Sequence, residues 1–253
     1  DVKLVLRKNK RYFEKDSLGQ QLPYLEAIAI RFLPDIQSEF MLFSQGKFDF
    51  LNSLDTSYKD DLLTPQGELQ EKYKEHIRME KGPYLNTEYI GFYLEADNKA
   101  VQSRKIRKAM NIGFDREKML RTMRNKVGKP ANSGFTPIGL PSFSYKKAKG
   151  YNFNPDKARQ LLSEAGFSNG KGLPTIELLS TKDYEDLCTF IARQWEDIGV
   201  KVQIELEESA TLREKMKNGQ ASFFRGSWIA DYPDAANYLM LFSSEMKAPN
   251  GPN

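Results

Sequence analysis

Two carboxylates near the end of the chain are the residues best suited to bind or transform a ligand. Asp231 and Asp234 stand three residues apart, directly after an apolar stretch, and Trp228 and Tyr232 lie beside them. A carboxylate among aromatic rings is costly to desolvate unless a cation or water compensates its charge. Asp231 is therefore the first candidate for holding a positively charged group of a ligand.

Other roles fit the same residues. As a pair, the two carboxylates could flank a sugar bond in a hydrolase, although no nucleophile is identifiable beside them. Asp231 could instead cap a following helix or simply stay exposed, and Asp234 is expected to N-cap the helix that carries Tyr238. Trp228 either lines a cleft or packs beneath the loop.

Composition narrows the classes of function. The chain has 253 residues, a net charge of +4, one cysteine and one histidine. A single cysteine excludes an internal disulfide, and Cys188 stands among apolar residues at helical spacing, which predicts that it faces a core. His76 lies in a polar run and is expected at the surface, so neither a histidine-based metal site nor a Ser-His-Asp triad is available. We predict no cofactor and no metal.

Charge and hydropathy favour neither nucleic acid nor membrane as a partner. Basic and acidic residues are mixed along most of the chain, and the densest basic stretch, residues 104–126, is interpreted as the exposed side of helices. No run of about eighteen apolar residues occurs, so no membrane-spanning segment is predicted. The mean hydropathy of −0.61 is typical of a protein with a polar surface.

Strand-like and helix-like stretches alternate along the chain, which predicts an α/β fold. Strands are predicted at residues 2–6, 27–33, 48–51, 88–94, 175–179, 200–206 and 221–228. Helices are predicted at residues 36–44, 101–112, 115–124, 155–165, 182–197 and 210–217, and residues 52–80 are predicted to be helical and exposed, with a break at 65–67. Residues 128–151, rich in glycine and proline, have the composition of a binding loop.

The order of these elements indicates two α/β lobes. One strand–helix–strand unit is predicted at residues 27–51 and a similar one at residues 200–228. The strongest chain-breaking signal between them is Lys81-Gly82-Pro83. A crossing between lobes is therefore predicted there. Ligand sites in such folds lie at strand ends and between lobes.

Several segments, in the same order, resemble those of the extracytoplasmic solute-binding proteins of family 5, the peptide, oligopeptide and nickel type of ABC transporter. The segment 226–234 is similar to the ligand-binding loop of that family. The other similar segments are Asn9-Lys10-Arg11-Tyr12-Phe13, Leu22-Pro23-Tyr24-Leu25, Gln45-Gly46-Lys47-Phe48-Asp49, Tyr89-Ile90-Gly91-Phe92, Ile106-Arg107-Lys108-Ala109-Met110 with Phe114-Asp115-Arg116, and Asn154-Pro155-Asp156-Lys157-Ala158. Two positions depart from the pattern, since Lys10 replaces a proline and Phe13 a tryptophan.

The resemblance implies a fold like that of the type II periplasmic binding proteins, with two α/β lobes joined by crossing strands and the first lobe incomplete. Residues 1–82 are then an internal part of lobe I, residues 83–246 are lobe II, and residues 247–253 are a tail that begins the return to lobe I. Members of the family are longer than this chain. We therefore expect the chain to be a fragment or a proteolysed product.

The resemblance also implies a function, which is the substrate-binding component of an ABC importer and not an enzyme. The expected ligand is an oligopeptide in the interlobe cleft, with Asp231 pairing the ligand α-ammonium. Trp228, Tyr232 and Ala230 are assigned to the same site, and Arg225 is either a contact for the far end of the ligand or a surface arginine. Other members carry nickel chelates, haem or oligosaccharides, so a non-peptide cargo is the alternative.

The same resemblance sets the expected partners and location. The partners would be the permease subunits of the transporter, and the protein would be a monomer that binds no nucleic acid. The location would be periplasmic or extracytoplasmic, with the full-length protein anchored to the membrane as a lipoprotein.

Overall fold

A computed structural model of the chain describes residues 2–33, 35–52, 56–82, 84–141 and 143–251. The chain divides into two compact units, Asp1–Lys59 and Asp60–Asn253. Pro83, where the crossing between lobes is predicted, lies outside the described residues, as do the last two residues of the predicted tail. The assignment of residues 1–82 and 83–246 to two lobes stays a prediction.

The first unit contains a two-stranded antiparallel hairpin and one helix. Strand β1 (Val2–Arg7) pairs with β2 (Ala27–Phe32), and helix α1 (Ile36–Ser44) follows. Asp35 begins the helix as predicted, because its Oδ1 accepts a hydrogen bond from the Ser38 amide at 2.7 Å. On the helix, Phe40 is buried and stacks on Tyr58 with ring centroids 4.5 Å apart.

The strand predicted at residues 48–51 is wrong. These residues are irregular in the structure, and the Phe50 side chain is 77% exposed. A strand needs a neighbour that completes its hydrogen bonds, and no described strand lies alongside this segment. The similarity between the units predicted at residues 27–51 and 200–228 therefore does not extend to their second strands.

The prediction of an exposed helical region at residues 52–80 is also wrong over the described part. Only helix α2 (Lys59–Leu62) and two short 3₁₀ turns, Thr56–Tyr58 and Glu71–Tyr73, form there. The chain reverses at the predicted break, where the Gly67 amide donates to the Thr64 carbonyl at 2.9 Å and Gly67 adopts a positive φ of 75°. Leu63 and Leu69 are buried beside this turn.

A four-stranded mixed sheet forms the centre of the second unit. Its strands are β3 (Asn86–Phe92), β4 (Ile176–Ser180), β5 (Val202–Leu206) and β6 (Phe223–Ile229), in the spatial order β3-β6-β4-β5. β4 is parallel to both β5 and β6, and β3 is antiparallel to β6. The predicted strands in this part of the chain are confirmed, with ends shifted by a few residues.

Helices accompany this sheet, and polar caps set where they begin. They are α3 (Lys99–Gln102), α4 (Arg104–Ile112), α5 (Arg116–Met123), α6 (Pro155–Glu164), α7 (Glu185–Glu196), α8 (Ser209–Lys217) and α9 (Ala236–Leu239). The helix predicted at residues 101–112 is interrupted at Ser103, which ends α3 and caps α4. Asp115 and Asn154 cap α5 and α6 as predicted.

The core of the second unit lies between the sheet and helices α4, α6 and α7. Trp195, 2% exposed, donates its indole N–H to the Met110 carbonyl at 2.8 Å and packs on Phe223. Cys188 is fully buried there, which confirms its predicted core position, and burial raises the pKa of its thiol. His76 is exposed, as predicted.

One member of the basic stretch is not on an exposed side. Arg116 donates to the carbonyl and the side-chain oxygen of Asn111, both at 3.0 Å, and its guanidinium lies 4.3 Å from the centroid of the Phe114 ring. Burial lowers the pKa of Arg116 to about 10. The described residues include no helix long and apolar enough to cross a membrane.

Candidate functional site

The candidate site is built on the carboxyl-terminal half of β6. β3 pairs with the whole of β6, from Phe92 opposite Phe223 to Asn86 opposite Ile229. On the other side, β4 ends at Ser180 and is in register with β6 only where Leu179 lies opposite Phe224. Residues 225–229 therefore have one edge that faces no strand in the described part of the chain. Backbone N–H and C=O groups on such an edge can pair with an added extended segment.

The loop after β6 carries Asp231. Its start is fixed by Ala230, whose amide donates to the Leu85 carbonyl at 3.2 Å, and the same carbonyl accepts from the Tyr238 hydroxyl. Asp231 and Tyr232 are both exposed. Among the residues that the structure describes, nothing donates a hydrogen bond to the Asp231 carboxylate and no cation pairs with it. Of its two predicted structural roles, capping a helix is excluded and exposure is observed.

Asp234 has a different environment from Asp231. Its Oδ1 accepts a hydrogen bond from the amide of Ala236, the first residue of α9, at 2.7 Å, and its backbone carbonyl accepts from the Asn237 amide at 3.2 Å. Asp234 therefore binds the start of α9, but the N-cap itself is Ala235, so the predicted N-cap is one residue early. The two carboxylates do not act as a pair, because one is bound to the helix end and the other is not.

Trp228 is half-buried and is held against α9. Its indole N–H donates to Oδ1 of Asn237 at 2.8 Å, and Asn237 is 1% exposed. This bond supports the packing role for Trp228 because it anchors the ring to the helix that follows the loop. Contact of Trp228 with a ligand stays a prediction.

Arg225 is neither a surface arginine nor a free cation. Its side chain is 11% exposed, its Nη2 pairs with Oε2 of Glu88 on β3, and its guanidinium lies 3.1 Å from the centroid of the Tyr184 ring. Burial lowers the pKa of Arg225 to about 10, and its buried Nε has no hydrogen-bond partner in the described structure. The charge of Arg225 is therefore already compensated within the protein.

The predicted binding loop packs on the face of β3 and β6 that is opposite to Arg225. Phe135 packs edge-on against Tyr89, with ring centroids 5.1 Å apart, and against Phe242 at 5.2 Å. Its carbonyl accepts a hydrogen bond from the Thr87 hydroxyl at 2.8 Å. This part of the loop fixes the sheet on which the site is built.

Three residues at the site were not predicted from the sequence. Glu88, Tyr184 and Asn237 contact the predicted site residues from β3, from the turn before α7, and from α9. The one available signal was Glu88, a charged residue in a predicted strand. Pairing it with Arg225 required the register of β3 against β6. No group of three or more histidine, cysteine, aspartate or glutamate side chains within the described part of the chain is placed to hold a metal ion.

Comparison with known proteins identifies the family of this chain. Residues 1–250 match the model of the bacterial extracellular solute-binding proteins, family 5 Middle. The oligopeptide-binding protein AppA of Bacillus subtilis is 26% identical over an alignment of 260 residues, gaps included. The alignment covers 96% of this chain and 44% of AppA. The heme-binding protein A of Haemophilus influenzae is also 26% identical, over 234 residues that cover 89% of this chain and 40% of that protein.

Solved structures show the same fold. The periplasmic binding protein DppA of Helicobacter pylori, in complex with the peptide STSA, has a TM-score of 0.77 at 20% identity and is matched over 94% of this chain and 42% of its own. NikA of Brucella suis, in complex with Fe(III)-EDTA, has a TM-score of 0.75 at 20% identity, over 98% and 48%. The mixed α/β fold is that of type II periplasmic binding proteins, and the chain spans less than half the length of each of these relatives. The chain belongs to family 5 of the bacterial extracellular solute-binding proteins.

Proposed function

We propose that this chain is part of the substrate-binding component of an ABC importer and that it captures oligopeptides by their amino end. Asp231 pairs with the α-ammonium of the ligand, and the free edge of β6 pairs with the ligand backbone. Trp228, Tyr232 and Ala230 shape the surroundings of the ammonium. The function is capture for transport and not turnover.

The observation that carries this proposal is the exposed carboxylate of Asp231, which has no partner among the described residues and lies directly beyond a strand edge that no described strand covers. An ammonium group is a compact cation with three donors, so a single carboxylate can accept charge-assisted hydrogen bonds from it. A neighbouring strand edge recognises an extended backbone and tolerates varied side chains. Together the two features match the amino-terminal end of a peptide.

The names of relatives support a peptide cargo without deciding it. AppA is named for oligopeptides, and DppA of Helicobacter pylori was solved with a peptide. Heme-binding protein A and NikA are similar to this chain to a comparable degree. A haem or metal-chelate cargo is therefore the alternative outcome of a binding experiment.

The location, anchoring and partners of the full-length protein are proposed from the same role in an ABC importer. We propose that the full-length protein is extracytoplasmic, is anchored as a lipoprotein, acts as a monomer and delivers its ligand to the permease subunits of the transporter. Extraction of the native protein from membranes with detergent, but not with salt, is the result that lipid anchoring requires.

Calorimetry on the full-length protein tests the ammonium pair. Peptides of two to five residues with a free amino terminus should bind, and N-acetylated versions should bind far more weakly. Truncating one partner of a desolvated charge pair typically costs about 2–5 kcal/mol, whereas an exposed pair contributes about 1 kcal/mol or less. In the proposed cleft the bound ligand is enclosed, so the larger cost applies. We therefore expect Asp231→Asn to weaken binding at least 30-fold.

Asp234→Asn is the matched control. It removes the same charge from the same loop but keeps an oxygen that can accept from the Ala236 amide. We expect it to leave peptide affinity within about threefold of the original. Equal binding of free and acetylated peptides, or equal losses in both variants, would remove Asp231 from the ammonium role. Mass spectrometry of ligand co-purified with the protein distinguishes peptide from haem or chelate.

A further inference from the structure

The pair formed by Glu88 and Arg225 lies where the far end of a bound peptide is expected. An extended chain rises about 3.3 Å per residue, so the strand from Arg225 to Ile229 spans roughly 13 Å. A peptide of about five residues that pairs with residues 225–229, with its amino end beside Ile229 and facing Asp231, would end level with Arg225. This end of the strand therefore faces the carboxyl terminus of such a ligand.

The pair presents its negative member to solvent. The Glu88 side chain is 41% exposed, whereas that of Arg225 is 11% exposed and is covered on one side by the Tyr184 ring. The exposed charge of the pair is therefore negative, and it repels a carboxylate that approaches the guanidinium. The guanidinium is also occupied, because its Nη2 is already bonded to Glu88.

Glu88 is fixed from both sides. Its Oε2 pairs with Arg225, and its Oε1 accepts a hydrogen bond from the side-chain amide of Asn86 at 2.7 Å. Asn86, Glu88 and Arg225 lie on the same face of the β3–β6 pair, because side chains alternate along each strand. A ligand would have to break these bonds, at a desolvation cost, to reach Arg225.

We infer that Glu88 is a specificity-determining residue that prevents Arg225 from binding the carboxyl terminus of the ligand, so that the site reads peptides from their amino end only. This inference rests on the proposed peptide-binding function. The ligand class is then any peptide with a free amino group, whether its carboxyl terminus is free, amidated or continued by further residues.

Paired peptides test the inference on the full-length protein. Two peptides of four or five residues, identical except for a carboxylate or a carboxamide at the end, are titrated by calorimetry at low salt. The original protein should bind both with dissociation constants within threefold of each other. In Glu88→Gln, which keeps an oxygen for Asn86 but removes the charge, Arg225 is released and the carboxylate peptide should bind at least tenfold more tightly than the amide.

The matched control is Glu177→Gln, which removes an exposed charge from the same sheet on β4. It should leave the ratio of the two dissociation constants unchanged. A carboxylate preference above tenfold in the original protein overturns the inference, and this measurement needs no variant. An unchanged ratio in a folded Glu88→Gln protein also overturns it.

Failure of the inference differs from failure of the proposed function. If the peptides bind but the ratios of their dissociation constants differ from those expected, Glu88 does not determine specificity, and peptide capture is still supported. If neither peptide binds the original protein, peptide capture fails, and the inference fails with it.

Discussion

Arg225 and Asp231 stand six residues apart on one segment and carry opposite charges, yet their surroundings differ. Arg225 is 11% exposed, paired with Glu88 and stacked on Tyr184, whereas Asp231 is exposed and has no partner in the described structure. A charge compensated inside the protein contributes to the fold, and a charge left uncompensated at a strand end is available to a ligand. Burial and partners, more than residue type, therefore separate structural charges from binding charges.

Removal of Arg225 should have the largest effect on stability. Arg225→Met keeps much of the side-chain volume but leaves Glu88 without its cation, and breaking a buried pair costs about 3–5 kcal/mol. Because Glu88 is partly exposed, we expect a smaller loss of about 2–3 kcal/mol in the free energy of unfolding. Urea unfolding followed by tryptophan fluorescence measures it, since Trp195 and Trp228 both lie in the second unit. A loss below about 0.5 kcal/mol would mean that Arg225 is no more structural than Asp231.

The hydrogen bond of Asp234 to the start of α9 should contribute less. Asp234→Ala removes the acceptor for the Ala236 amide, and loss of a side-chain acceptor at a helix start typically costs about 1 kcal/mol. Asp234→Asn keeps an acceptor and should recover most of that loss. The same urea titration distinguishes the two variants, and equal stabilities would show that the bond from the Ala236 amide to Asp234 does not stabilise the fold.

Cys188 extends the comparison to a buried group that is neutral. Burial raises the pKa of its thiol above the usual value of 9, so the unfolded chain loses this proton at lower pH than the folded one. The folded state then holds more protons, and the contribution of Cys188 to stability falls as pH rises through about 9 and above. The free energy of unfolding of the original protein should decrease more steeply from about pH 8 to pH 10 than that of Cys188→Ala. If the free energies of unfolding of the two proteins decrease in parallel with pH, the raised pKa of the Cys188 thiol is contradicted.

The smallest effect on stability is expected for Asp231. Asp231→Asn removes an exposed carboxylate that none of the described residues contacts, so we expect a change within about 0.5 kcal/mol in the free energy of unfolding. Its proposed effect is on ligand affinity alone. A stability loss close to that of Arg225→Met would show that Asp231 has a structural partner and would remove the contrast between the two residues.

Local patterns predicted most elements of the second unit. Alternating apolar residues indicated β3, and an apolar, aromatic stretch indicated β6. Asp115 and Asn154 indicated the starts of α5 and α6, because such signals depend only on nearby residues. The wrong predictions lie in segments whose structure depends on contacts with other segments. Residues 48–51 have strand-like character but no partner strand in the described structure, and residues 59–82 fold around a turn at Gly67.

At the site, the residues close in the chain were enough to predict that Asp231 follows an apolar strand among aromatic residues and that Asp234 precedes a helix. The burial and pairing of Arg225 depend instead on contacts between distant segments. Its partners Glu88 and Tyr184 come from distant segments, brought together by the register of β3 on β6 and by the start of α7. Whether a charge is available depends on desolvation and on those partners, which are properties of packing and not of local sequence.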